Sequence, residues 1–251
     1  NVIEAAGINP EAANLLTLLY QGQRTPFILN ANQPIGNYWI RADPNLGVQG
    51  FTNGINSAIL RYDTATEEEP PVVTFSPGNP LNEADLRPLE SPGAPGNPTQ
   101  GGADVNLNLA FTFVGGRFMV NGVSYENPPM PVLLQLLSGA QTPDSLLPQG
   151  SIFHLPANAV VELSMPGGLL GLEHSFDVVR SAGSSTYNYV NPPRRDVVNI
   201  GGASDNVTIR FRTDNPGPWF LHCHIDWHLE GGFAIVFAER PDEWTGSIDP
   251  P

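Results

Sequence analysis

Glycine and proline punctuate this chain so densely, 26 of each among 251 residues, that long stretches free of both are rare. Proline removes a backbone donor and glycine loosens the backbone, so neither sits well inside a long helix. Between them lie short runs rich in Val, Ile, Phe, Tyr and Thr, which read as strands joined by turns. The expected fold is all-β. With 40% hydrophobic and only 14% charged residues, the chain is too apolar to be disordered and long enough to bury a sizeable core, in one or two domains.

The first segment, "TPFILNANQPIGNYWIRADPNLGVQGFTNGINSAILRY" (Thr25–Tyr62), offers three β-rich runs, "PFIL", "NYWIRA" and "SAILRY". It is too short for a whole sandwich. "DTATEEEPPVV" and "RPLESPGAPGNPTQGGAD" then mix acid, proline and glycine without periodicity, which reads as an extended linker. The expected organisation is a partial domain over 1–70, a linker over 71–103 and a second β unit over 104–251. In that unit, "VNLNLAFTFVGGRFMVNGVSY" reads as a hairpin, with Leu107, Leu109, Phe111 and Phe113 alternating and Gly115-Gly116 at the turn. "MPVLLQLLSGAQTPDSLLP" is the best short helix. Six β-rich runs at sandwich spacing follow: "AVVELSM", "HSFDVVRSAG", "DVVNI", "NVTIRFRTD", "GPWFLHCHI" and "GFAIVFAE".

A formal net charge of -14 excludes nucleic acid and anionic membrane surfaces as partners, because both would be repelled. No run of apolar residues is long enough to span a bilayer. The single cysteine cannot form an internal disulfide and leaves the redox compartment open. Acidity and the glycosylation acceptor Asn206-Val207-Thr208 lean towards secretion, whereas the proline in Asn97-Pro98-Thr99 disqualifies that second match. The start at Asn1, without an initiator Met or a signal peptide, reads as processed or fragmentary.

The chemistry concentrates in "WFLHCHIDWHLEGGF" (Trp219–Phe233). On a strand, successive side chains alternate, so Cys223 points to one face while His222 and His224 point to the other. His228 lies past the strand end, where a short turn swings its imidazole back beside the thiolate. Thiolate plus imidazole, completed by a second imidazole in a trigonal plane, is a blue-copper arrangement, and the paired imidazoles opposite suit further copper. Taken singly, a buried His or Cys is more often core than ligand. Taken together, two imidazoles facing one interior need partners that packing does not supply. Zinc is a weaker reading with one thiolate and no finger spacing. A Cys-His nucleophile is weaker still, because His222 and His224 face away from the sulfur.

These residues, with "RFRTDNPGPWFLHCHIDWHLEGGFAIVFAE" (Arg210–Glu239), "DVVRSAGSSTYNY", "LNANQPIGNYWIRADPN" and "GINSAILRY", resemble the C-terminal half of the fungal laccases, three-domain multicopper oxidases built from cupredoxin-like Greek-key sandwiches. The similarity runs over nearly the whole chain. It implies the end of a second cupredoxin domain and most of a third. It further implies that Cys223 and His228 hold the mononuclear copper that takes electrons from small phenols or aromatic amines. His222 and His224 hold copper of the trinuclear cluster that reduces O2 to water. Phe233 falls at the axial position, where a phenyl ring cannot coordinate, and Asn45 falls at a residue lining the phenol pocket, beside Leu46 where an aromatic is commoner. A secreted, extracellular glycoprotein acting on lignin-type phenols is the implied setting.

The resemblance breaks at "MPGGLLGLEHSFDVV", where the family carries a histidine-rich run. Aligned on His174, itself not a ligand, the second histidine of the mononuclear site falls on Gly167 and two cluster ligands fall on Leu170 and Leu172. The first domain, which supplies the remaining cluster histidines, and the C-terminal tail with its cysteine are not in the sequence. Two further classes stay open: a single-copper electron carrier using only the Cys223 face, and a metal-free sandwich with a binding or structural role. His154 is read as lying just before a strand, structural or exposed.

Overall fold

The structure, a computed structural model, describes residues 19–20, 22–25, 29–44, 47–71, 81–137, 142–167, 171–172 and 175–243. These divide into two units, one of residues 29–71 and one of residues 19–25 with 81–243. In the smaller unit, β1 (Asn37–Arg41) and β2 (Ser57–Arg61) pair antiparallel, from Asn37 opposite Arg61 to Arg41 opposite Ser57. Asn53 and Asn56 take positive φ in the connection, a conformation asparagine tolerates better than most residues. The Asn56 side chain donates to the carbonyls of Val48 and Gly50, which closes the loop. The expected strand "PFIL" lies mostly outside the described residues.

The larger unit is a sandwich. Its strands are β3 (Val105–Asn108), β4 (Phe111–Val114), β5 (Arg117–Val120), β6 (Ile152–Leu155), β7 (Val160–Pro166), β8 (Gly171–Leu172), β9 (Phe176–Arg180), β10 (Arg194–Arg195), β11 (Asn206–Arg212), β12 (Gly217–His222) and β13 (Ala234–Glu239). One sheet runs β10-β9-β11-β7-β3, the other β6-β13-β12-β8, and β4-β5 form a separate hairpin. The two outer pairings β3·β7 and β6·β13 are parallel. Between the sheets, Val161, Leu163 and Met165 of β7 meet Leu221 of β12 and Ile235 and Phe237 of β13, with Val207, Ile209 and Phe211 of β11 beside them. Period-two alternation sends these residues inward together.

Alternation also puts Glu162 and Arg210 on the opposite face, directly across from each other in the β7–β11 register. Both are buried, under residues 95–101, whose carbonyls at Pro95, Asn97 and Thr99 accept from the Arg210 guanidinium. Part of the segment read as linker is therefore laid over the sheet and fixed by a buried arginine.

Four local expectations change. The hairpin does not begin at Val105, because the chain changes partners at Leu109-Ala110. Leu109 N–H still donates to Ser164 alongside β7, whereas Ala110 exchanges bonds with Asn121 and opens the β4–β5 hairpin. The single helix is two, α1 (Val132–Leu137) and α2 (Pro143–Leu146), the second started by a Thr142/Ser145 capping box. "DVVNI" is not a strand. Val198 and Ile200 reach the core from a loop, since Pro192-Pro193 and Gly201 confine sheet pairing in this stretch to Arg194–Arg195. His154 lies within β6 rather than before a strand, half exposed and hydrogen-bonded to Asp144.

Candidate metal centre

β12 ends at His222, yet its alternation carries past the strand end. Trp219, Leu221 and Cys223 belong to the core between the sheets, and Phe220 belongs to a second cluster on the outer side with Tyr125, Ala234 and Val236. The His222 ring stacks on Phe220 at 4.8 Å and meets the His224 ring at 4.7 Å. One backbone thus presents a thiol inward and two imidazoles outward.

His228 arrives by a tight reversal. The helix α3 (Asp226–Glu230) follows at once and returns the chain into β13. Cys223 N–H donates to the Phe233 carbonyl, and Phe233 N–H donates to the carbonyl of His228, which locks the turn. Cys223 Sγ then lies 3.3 Å from His228 Nδ1, while Ile225 N–H points at the sulfur from 3.4 Å. Cys223 is only 2% exposed. Burial pushes its thiol up, partly offset by the Ile225 N–H, and burial pushes the His228 imidazole down. In the metal-free protein burial therefore favours the neutral form of both groups.

The β4–β5 hairpin roofs this side of the site. Phe118 N–H donates to Gly231 and Tyr125 N–H to Gly232. Gly232 has φ +98°, and a Cβ there would lie 1.9 Å from Ser124 Oγ, so the close approach needs glycine. Phe118 is thereby laid 4.6 Å from the His228 ring and stacked on Phe233, at 5.1 Å and 12°. Phe113, 60% exposed, continues the aromatic path from Phe118 to the surface at 4.6 Å. The sequence reading placed Phe113 in the hairpin alternation and gave Phe118 no role. Their signal was the surplus of aromatics on a strand whose outer end faces solvent.

Cys223, His228, His222 and His224 are accordingly brought within one turn of chain, as expected. Asn45 and Leu46 lie outside the described residues, as do Leu170 and His174. The backbone of Leu172 pairs with Leu221 at the edge of β12. Gly167 donates its N–H to Asp205, and a Cβ on it would meet the Gly202 carbonyl oxygen at 1.7 Å, so no side chain fits there. Among the described residues no three His, Cys, Asp or Glu groups converge on one point. The donors nevertheless fit soft, copper-type ligation on chemical grounds: a thiol and an imidazole within reach of one ion, and two imidazoles in contact on the opposite face.

Profiles of one family match the chain at residues 1–65 and again at residues 125–243, in both cases the multicopper oxidases. The chain belongs to the multicopper oxidase family. Membership implies copper binding. Among multicopper oxidases it is similar to laccase-2 of Pleurotus ostreatus, 59% identical over 95% of this chain and 46% of that protein. Laccase-5 of Trametes versicolor is 53% identical over 99% of this chain and 50% of its own length. The crystal structure of the laccase from Botrytis aclada matches with a TM-score of 0.65 at 25% identity, over 86% of this chain and 43% of that one. The chain therefore spans about half the length of these relatives, and its fold is the cupredoxin-like sandwich of multicopper oxidases. No helix among the described residues is long and apolar enough to cross a membrane.

Proposed function

We propose that this chain carries the C-terminal half of a laccase-type oxidase that oxidises small phenols or aromatic amines and reduces O2 to water. The single observation that carries the reading is the Cys223 Sγ–His228 Nδ1 approach of 3.3 Å, set back to back with the His222–His224 pair. Copper, when bound, supplies one-electron oxidation on the thiolate side and oxygen reduction on the imidazole side. Cys223 and His228 would hold the mononuclear ion, and His222 and His224 would hold part of a trinuclear cluster. By the family resemblance a first domain of the same protein would supply the remaining cluster histidines, whereas Gly167, where the second histidine of the mononuclear site falls, offers no side chain. Support for this is the half-length coverage of the laccase relatives. The domain division follows: residues 1–70 close a second cupredoxin domain, 71–103 connect, and 104–251 form a third.

The protein's own part is positional. Cys223 is joined by peptide bonds to both His222 and His224, so the sulfur and the two imidazoles share one short backbone. Loss of the Cys223 proton on metal binding exposes a thiolate in a dry site, which strengthens its donor character. Phe233, buried in the same core as Cys223 with its ring 6.5 Å from that of His228, offers no donor atom, which would raise the potential of a copper held there. Phe118 and Phe113 give an aromatic substrate a stacking surface that ends on His228. By family resemblance Asn45 matches a residue that lines a phenol pocket. The enzyme is secreted and extracellular, and Asn206-Val207-Thr208 is an acceptor motif for a glycan.

A metal-free homologue is the competing reading, favoured by the closed backbone at Gly167. Metal content with a visible spectrum, taken before denaturation, tests both. A thiolate-to-copper band in the red with a mononuclear and a trinuclear complement supports the oxidase. The band with mononuclear copper alone supports an electron carrier. No band after copper reconstitution leaves the metal-free sandwich.

A further inference from the structure

Far from the cluster in sequence, a turn from Tyr20 to Gln23 lies against it in space. Gln23 N–H donates to the Tyr20 carbonyl and Tyr20 N–H donates back to Gln23 Oε1, closing the turn twice. Gly22 sits inside it at φ +75°, and a Cβ there would stand 2.6 Å from three atoms of the His224 ring. Only glycine both adopts this backbone and lets the imidazole lie flat on it. His224 Nε2 is shielded from solvent.

The turn is anchored from beneath. Gln23 is buried, and its Nε2 donates to Glu83 Oε1 at 2.6 Å and reaches the Val197 carbonyl at 3.5 Å. Glu83 is in turn held by Arg195 Nε at 2.9 Å, a side chain only 9% exposed. Arg24 Nη1 donates to the Gly22 carbonyl, and its other terminal nitrogen pairs with Asp196. A buried amide tied to a half-buried ion pair is a directional fastening, whereas the exposed Arg24 pair adds little.

We propose that the Tyr20–Arg24 turn is a positioning strap for His224, setting the height and solvent access of that imidazole through the Gln23–Glu83–Arg195 anchor while leaving the Cys223 face untouched. The contact itself is free of metal; only its consequence for oxygen reduction rests on the reading of His224 as a ligand. Gly22 and Gln23 are positioning residues, acting through His224.

Diethyl pyrocarbonate footprinting of the full, metal-free chain, with each histidine resolved by peptide mapping, tests the strap. Gln23→Ala removes the anchor and is expected to raise the carbethoxylation rate of His224 about fivefold relative to His154, in keeping with one or two lost hydrogen bonds. His222 and the alkylation rate of Cys223 are expected to stay at wild-type values. Gly22→Ala should give the same selective rise by pushing the ring off the turn. Should Gly22→Ala fail to fold, Gln23→Ala decides alone. An unchanged His224 rate overturns the strap, and so does a parallel rise at His222 and Cys223, which would show general loosening. Because copper is absent throughout, these outcomes are independent of whether the oxidase reading holds.

Discussion

Among the described residues, one buried and one partly buried group of polar side chains in this sandwich are satisfied in different ways. Arg210, fully buried, spends its guanidinium on Glu162 and on the carbonyls of Pro95, Asn97 and Thr99, with the Tyr189 ring 4.3 Å away. Glu162 also takes the Gly101 N–H and the Tyr189 hydroxyl. Each donor meets its own acceptor, so the network is closed and fastens a loop. The cysteine–histidine cluster instead turns soft donors towards one another: sulfur to imidazole nitrogen, and imidazole to imidazole. Polar groups that satisfy one another completely hold a fold together, and soft donors that converge suit a metal ion.

That contrast is broken most severely by Cys223→Ser. On the laccase-type reading it is expected to abolish the red thiolate-to-copper band and phenol oxidation, while the thermal midpoint of the metal-free protein shifts little because volume and burial are nearly kept. A retained band in the variant would remove the thiolate from the site.

Arg210→Met should do the reverse, leaving Glu162 as a buried charge without its cation. The expected loss is about 3–5 kcal/mol in urea unfolding, with Cys223 chemistry intact in the fraction that folds. Adding Glu162→Gln should recover part of the loss. If Arg210→Met were neutral, the closed network would not be structural.

Glu239 sharpens the comparison from the far end of the same strand pair, opposite Gly217. Burial pushes its carboxyl up to about 7, against the opposing pull of the Asn215 N–H and Arg240. The folded value lies above the usual 4.5, so between those pH values the folded protein keeps a proton that the unfolded chain has released. Stability therefore falls as pH rises from 4.5 towards 7 and levels off above it, by at most ~3 kcal/mol. Glu239→Gln should flatten that slope, and an unaltered pH profile of the unfolding midpoint would refute the assignment.

The smallest effect is expected at the surface end of the aromatic path. On the laccase-type reading, Phe113→Ala should raise KM for bulky phenols about fivefold through lost stacking, with kcat and the thiolate band little changed. A change in kcat without one in KM would separate Phe113 from substrate docking.

Most of the sandwich was legible, because β7, β11, β12 and β13 stand out as short β-rich runs between breakers. The inward–outward split at Cys223 followed from the same parity, and the return of His228 from the short spacing between them. What escaped were features set by partners distant in sequence. Nothing in "LNLAFTF" says that Leu109 stays with β7 while Ala110 leaves, since Asn121 makes that choice. "DVVNI" shows strand composition because its side chains are buried, and composition reports burial more directly than backbone pairing. Phe118 reaches His228 only through the Gly231–Gly232 contact, and Gly22 reaches His224 across most of the chain's length. A glycine in a polar turn carries no sign of the ring that lies on it.

The parity of His222, Cys223 and His224 also bears on how such a sequence can change over time. Exchanging one residue for another at these positions loses one donor and leaves the others aimed correctly. Inserting or deleting a single residue between His222 and His224 would invert every side chain beyond it, turning thiol and imidazole to the wrong faces together. The segment is thus open to point substitution but closed to length variation, whereas loops such as Asn215–Pro216 before β12 carry no such frame.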